Sequence, residues 1–312
     1  MLETNFKSIY ILTNYYKCSL YIGQIVYFCY LLQIQMSKIL SLIALFFAFN
    51  INNAQMPEMG IFGGNSYYIG DINPYRHFNQ QDFVLGGIYR NNFKNERIAL
   101  RINFLYGRVG SSDYESGLVD QVNRNLSFRS TILEIGPIFE VNFFPYELGQ
   151  TDTELPKFGT PYFFGGITYM KMNPKAEYEG EWVELQPLGT EGQGTSQNSK
   201  NPYSLSQITI PFGFGFKVNI AEQMAIALEY GMRKTFTDYL DDVSGLYPNQ
   251  TILAQQSGTL SAELSDRSNN PEGINNTNYG LSRGNPNNKD WYAFTGIILT
   301  YRLYKSTSCP TW

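Results

Sequence analysis

The chain has 312 residues, 43% hydrophobic and 16% aromatic, with 24 Tyr, 22 Phe, 3 Trp and a formal charge of −4. That balance, with no block of Lys or Arg, excludes a nucleic-acid-binding surface. The Tyr and Phe excess suits β-structure and the aromatic girdles of membrane barrels.

Near the N-terminus, Met36-Ser37-Lys38 precedes the apolar run Ile39–Phe49, and small Ala54 stands before Gln55. This pattern predicts a signal peptide over 36–54, cleaved between Ala54 and Gln55. The run is too short to cross a bilayer as a helix. Residues 1–35 are then expected to be a leader upstream of the true start, Met36, and 55–312 to be the folded domain. Cys18 and Cys29 fall in the removed part, so Cys309 alone can form neither an internal disulfide nor a metal or redox motif. No long apolar run follows residue 55. A mature chain that enters a membrane must therefore do so as a barrel.

Period-two alternation of apolar and polar residues predicts the strands in order. A glycine-rich strand runs over Met59–Asp71 and a second over Asp82–Arg90, followed by a tight turn at Asn91–Asn95, where Asn tolerates left-handed backbone. The third has Ile98, Leu100, Ile102, Phe104 and Tyr106 on one face, and Ala99, Arg101, Asn103 and Leu105 on the other. A polar loop, Gly110–Asn125, follows. The fourth strand, Arg129–Phe144, sets Leu133, Ile135, Pro137, Phe139 and Val141 against Glu134, Gly136, Ile138, Glu140 and Asn142. It exceeds the roughly 5–6 residues of a globular strand and suits a tilted membrane strand of about 9–11. A turn segment covers 145–160. The fifth strand runs from Pro161 to Met172, is ended by Asn173-Pro174, and leads into a polar segment reaching Tyr203. The sixth alternates Ile208, Ile210, Phe212, Phe214, Phe216 and Val218 with Thr209, Pro211, Gly213, Gly215 and Lys217. The seventh alternates Ile226, Leu228, Tyr230 and Met232 with Ala225, Ala227, Glu229, Gly231 and Arg233. Segment 235–289 reads as too polar to pack a core of its own. The eighth strand spans Trp291–Tyr304.

An even strand number, with connections alternately short and long, predicts an all-β fold: an antiparallel transmembrane β-barrel of about eight strands with long outer loops, short periplasmic turns and both mature ends in the periplasm. Pro137 and Pro211 conflict with a closed ladder, and a bulge is expected at each. Arg101, Glu134, Glu140, Lys217, Glu229, Arg233 and Arg302 lie on the faces turned away from lipid. Facing lipid near the midplane, each base would cost about 2–4 kcal/mol. An eight-stranded barrel is just wide enough for side chains to fill. The charges are thus expected to pair across the lumen and seal it.

Other motifs point to no chemistry. His77 lies near Ser66, Asp71 and Asp82 in sequence, but no nucleophile motif surrounds Ser66. Asp238, Asp241 and Asp242 lack calcium-loop spacing and read as a solvated turn. Gly189–Gly194 lacks the lysine of a phosphate loop and reads as flexible. No catalytic, metal or cofactor site is expected.

Four stretches, Gly64–Pro74, Arg124–Ser130, Leu185–Gly194 and Lys234–Ser244, resemble the PorG family of outer-membrane barrels associated with the type IX secretion system, and the uncharacterised barrels around it. The resemblance covers nearly all of 55–312, and residues 1–35 match nothing in it. It implies a non-enzymatic component of that secretion system. Its partners would be outer-membrane lipid and a periplasmic ring built from a lipoprotein and a second protein, PorK and PorN. The periplasmic candidates for such contacts are 91–97, 145–160 and 305–312. Competing readings are a structural or adhesive barrel, an outer-membrane lipid-modifying enzyme using His77, and a soluble lipocalin-like barrel with its apolar face inward.

Overall fold

The computed structural model describes residues 57–149, 157–268 and 278–303. The leader, the signal segment with its cleavage point Ala54/Gln55, part of the 145–160 turn, Cys309 and the tail 305–312 lie outside the described residues.

Ten strands form among the described residues: β1 Glu58–Ile69, β2 Asp82–Asn92, β3 Ile98–Ser112, β4 Ser127–Asn142, β5 Gly159–Gly166, β6 Thr168–Tyr178, β7 Glu181–Glu184, β8 Ser206–Ala221, β9 Met224–Lys234 and β10 Trp291–Arg302. The sheet runs β3-β2-β1-β10-β9-β8-β5-β4, and β4 pairs back onto β3, which closes it. Every ladder is antiparallel. β5 and β6 keep one register against β4 and β8, so they are a single wall strand interrupted at Ile167. β7 pairs only with β6 and extends it as a hairpin. The barrel wall therefore has eight strands.

Alternation sets the faces. Phe104, Ile135, Phe139, Phe214, Leu228 and Ile297 stand outward and are 44–61% exposed, whereas Arg101, Glu134, Ile138 and Ile298 point inward and are fully buried. Continuous apolar surface of this extent around a wall is a lipid-facing surface. The lipocalin-like alternative requires the opposite polarity and is excluded. The connections 93–97, 143–158 and 222–223 share one end of the barrel, and those after β1, β3, β6 and β9 share the other. The expected alternation of short and long fails at 143–158, whose 16 residues exceed the 12 of 70–81 and the 14 of 113–126.

The prolines are accommodated without the expected bulges, and the register is unshifted at both. Pro137 lies opposite Ile167, whose N–H donates to Pro137 O at 3.3 Å; only the reciprocal bond is forfeited. Pro211 lies opposite Gly166 of the same interruption. The two prolines thus flank one gap in one neighbour. The register shift in this wall is elsewhere, between Asn219 and Ala221.

Three other expectations are corrected and a fourth is refined. The fifth strand does not end at Asn173-Pro174 but continues to Tyr178, because Pro174 sits between the end of pairing with β8 at Lys171 and the start of pairing with β7 at Lys175. Its carbonyl still accepts from Leu185 N–H at 3.0 Å. In the 91–97 turn the left-handed residue is Glu96, with φ 58°, rather than an Asn. The loop 110–125 contains the end of β3, a 3₁₀ turn and the helix Val119–Arg124. The described residues of segment 235–289 pack no core of their own, as expected, but they are not a bare polar loop either. The segment carries the helices Gln250–Ser257 and Thr259–Ser265, and its Leu240 and Val243 join the hydrophobic cluster that fills the barrel.

Candidate functional site

Two charged layers occupy this barrel, one in the lumen and one under the long connections. In the lumen, Arg101, Glu134, Glu140, Lys217, Glu229 and Arg233 are at most 2% exposed and fall into two ion-paired groups, one around Glu140 and one formed by Glu134 and Arg233. Glu140 is the hub of the first: Arg90 at 2.9 Å, Arg101 at 3.0 Å and Lys217 at 2.8 Å all reach it. Arg101 also forks onto Glu229 at 2.6 and 2.9 Å, and Tyr162 donates to the same carboxylate at 2.8 Å. Arg233 pairs with Glu134 at 3.3 Å, which also accepts from Tyr292 at 2.6 Å.

Sequence reasoning missed two members and included one outsider. Arg90 joins Glu140 to Glu58, which it contacts at 3.0 Å; Asn92 also donates to Glu58. Val84, Ile88, Arg90 and Asn92 share the buried phase of β2, and Glu58 is the first residue of β1, so reading the alternation through β2 and one residue earlier in β1 finds both. Arg302 is half-buried beside Gly149 at the short-turn end, outside both groups, because β10 ends there. The corrected layer holds Arg90, Arg101, Lys217 and Arg233 against Glu58, Glu134, Glu140 and Glu229, equal in charge.

Glycines shape the space for it. Gly213 on β8 and Gly231 on β9 are register partners, and a Cβ on either would meet the Phe164 ring at 2.8 or 2.6 Å. The hollow they leave takes Phe164, over whose ring Arg101 lies at 5.0 Å. Lys217 sits 4.8 Å from both Tyr146 and Tyr162. Aromatic faces thereby line the cations that the carboxylates pair.

The second layer forms the cap. Asp241, Asp242 and Asp290 are 1% exposed, and Asp238 is 3% exposed, so the expected solvated turn is a buried one. Tyr68 Oη lies 2.6 Å from Asp241 Oδ2 and 2.8 Å from Asp290 Oδ1. Burial, and then repulsion from neighbouring carboxylates (Asp290 and Asp71 on Asp241, Asp238 and Asp71 on Asp290), push both carboxyls above the ordinary range. Asp242 is pushed up to about 6 by burial, against the opposing pull of Arg283 and the hydroxyls of Thr190 and Tyr203. Burial opposes the charge of Arg283, but Glu191 and Asp242 together hold its pKa above the ordinary value. Arg283 Nη1 reaches Glu191 Oε1 at 3.1 Å, and the same oxygen accepts from Ser244 N–H at 2.8 Å and Gly245 N–H at 2.9 Å. Glu191 belongs to the 189–194 stretch expected to be flexible, and Thr190, Glu191 and Gln193 are instead buried. Arg124 forks onto Asp113 at 2.7 Å and donates to Asp71 O at 3.0 Å, tying the second long connection to the first.

The conjectured Ser66, His77 and Asp82 set does not assemble. Ser66 faces the lumen and donates to Arg108 O, while Asp82 pairs with Arg108 at 3.1 Å. The connection after β1 folds against the outside of the wall instead. There His77 Nδ1 lies 3.0 Å from Tyr67 Oη, which is 2.7 Å from Tyr230 Oη. Among the described residues no group of three or more His, Cys, Asp or Glu could hold a metal.

Comparison with known proteins returns one family model, described as "Domain of unknown function (DUF6089)", matching residues 37–264. No curated protein matches. Similar solved structures include Neisserial surface protein A, at TM-score 0.38 and 8% identity, and Ail of Yersinia pestis, at 0.37 and 9%. Each match covers 80% of this chain and 99% of the other. OprG of Pseudomonas aeruginosa matches at TM-score 0.32 and 9% identity over 80% of this chain and 98% of its own.

Proposed function

This chain belongs to the family described as Domain of unknown function (DUF6089), and we propose that it is a non-enzymatic outer-membrane barrel that anchors the periplasmic ring of the type IX secretion system. The observation that carries the reading is the filled lumen. A barrel whose interior is a charge-balanced layer, each charge meeting an opposite one and leaving only single atoms such as Arg101 Nε, Glu134 Oε1 and Arg233 Nη2 without a partner, is filled by its own side chains rather than shaped around a substrate. What it offers its surroundings is surface. Its wall presents a broad apolar surface on β3, β4, β8, β9 and β10, and closed barrels and helices are the structures that satisfy backbone groups in lipid. The signal pattern over 36–54 directs such a barrel to the outer membrane. The four stretches resembling the PorG family supply the secretion role and the ring partners PorK and PorN. In this reading 93–97 and 143–158 face the periplasm and the capped connections face outside, which the two-residue turn 222–223 and the five-residue turn 93–97 support.

The test is in-cell photocrosslinking from Lys94, exposed in the turn after β2. Recovery of a ring protein from Lys94, and none from Tyr114 on the cap, is the expected result. A barrel that assembles normally yet yields no ring protein from Lys94 sinks the anchoring role. The adhesive barrel would then be favoured, since Tyr75 and Tyr114 stand 82% and 76% exposed on the capped end.

A further inference from the structure

At the capped end, Ile69 of β1, Trp291 of β10 and Lys234 of β9 are register neighbours in one row on the outward face of the wall. Above the row, the connections 70–75 and 285–289 arch over a groove of about 510 Å³. Trp291 and Tyr75 are the aromatic types that settle where hydrocarbon meets water. Lys234 and Lys289 are exposed, and neither forms an ion pair among the described residues. Lys289 Nζ donates to Pro286 O at 2.9 Å, and Lys234 Nζ lies 5.8 Å from the Trp291 ring. The one carboxylate in the lining, Asp71, has its Oδ2 taken by the N–H of Asn285 at 2.9 Å. The groove therefore presents two ammonium groups that form no ion pair among the described residues, amide side chains and aromatic faces at the end of the apolar wall.

From this juxtaposition we propose that the groove holds the phosphorylated sugar headgroup of an outer-leaflet lipid; the proposal rests on the outer-membrane reading above. The ammonium groups of Lys234 and Lys289 take the phosphate oxygens. Asn287 and Asn288 supply donors and acceptors for sugar hydroxyls. Trp291 and Tyr75 pack against the first methylenes or a sugar face. No bond is made or broken. The site would hold the capped end at a fixed depth in the outer leaflet, which a lysine elsewhere on the wall, such as Lys171 on β6, would not do.

The experiment uses the full barrel in neutral detergent, after fractionation has shown the wild type in the outer membrane and heat-modifiable electrophoretic mobility has shown each variant folded. An inner-membrane or soluble wild type overturns the localisation reading, and with it this proposal. Binding of lipid A, its dephosphorylated form and inorganic phosphate is then measured by native mass spectrometry. Expected is lipid A binding that falls about tenfold or more in the Lys234→Gln/Lys289→Gln double variant, as loss of two cations near a headgroup implies. Lys171→Gln should leave it unchanged, and dephosphorylated lipid should bind weakly to all. Equal binding by the double variant and the wild type overturns the proposal, with localisation untouched. Inorganic phosphate binding as tightly as lipid A also overturns it, because the site would then read a free anion. If the double variant fails to fold, each single variant is measured, and lipid A binding unchanged in both overturns the proposal.

Discussion

A phenol has one proton to give, yet Tyr68 Oη stands within hydrogen-bond distance of two carboxylates, Asp241 and Asp290. One of the two contacts needs a proton on a carboxyl, so the buried pair holds a proton that two solvated aspartates would release. The backbone is pinned by the same groups: Leu240 N–H donates to Asp290 Oδ2, and Val243 N–H to Asp241 Oδ1, both at 2.9 Å. The pair's pKa is raised in the fold above the roughly 3.9 of an unfolded aspartate. Its stabilisation is therefore complete below that value and is lost as pH rises through the folded value. Asp242, at about 6, acts in the same direction. Amide exchange over 237–247, corrected for intrinsic rate, should accelerate between pH 5 and pH 8 while the wall strands do not change. Asp241→Asn, which keeps a donor at every pH, should shrink that acceleration. If the variant shows the full pH dependence of the wild type, the shared proton is wrong.

Among the elements, the wall was legible and the cap was not. A strand in lipid must show one face to hydrocarbon, so the faces of β3, β4, β8, β9 and β10 could be read from every second residue. Glu58 and Arg90 were legible by the same rule and missed only because the phase of β1 and β2 was not followed to its ends. The cap has no such local signature. Its polar residues are buried by partners far along the chain, such as Glu191 with Arg283 and Tyr68 with Asp290. Composition alone makes them look solvated. The hairpin of β6 and β7 was hidden for a different reason: β6 keeps alternating through buried Met170, Met172 and Ala176, but Pro174 read as its end, and the Glu181–Glu184 strand is too short and exposed to show a face. Gly213 and Gly231 were read only as interior-facing positions, whereas they are the trough for Phe164. Gly231→Leu should force that ring off Arg101 and cost about 1–3 kcal/mol by overpacking. Gly63→Ala, whose Cβ would have Leu85 at 3.8 Å as its nearest neighbour, should cost little. Urea midpoints in detergent check this, and a Gly231→Leu barrel as stable as the Gly63→Ala barrel would refute the packing account.

For the whole molecule, the question is whether a barrel this size works as a passage or as a fixture. Burying ions is expensive, and replacing buried pairs by apolar residues is often neutral or stabilising. The layer is equal in charge, and Glu140 alone meets three cations. Such a layer is stiff, because moving one side chain leaves an opposite charge unpaired at a cost of about 3–5 kcal/mol. Thermal opening of a conducting path would have to break several of these pairs together. Reconstituted in a planar bilayer, the protein should therefore show no steady ion current at voltages that leave the membrane intact. Glu140→Ala, which strands Arg90, Arg101 and Lys217 with one carboxylate fewer, should lower the unfolding midpoint well before it opens a pore. Sustained current through the wild-type barrel would mean that the layer yields, and a fixture that anchors other proteins would no longer be the reading its interior supports.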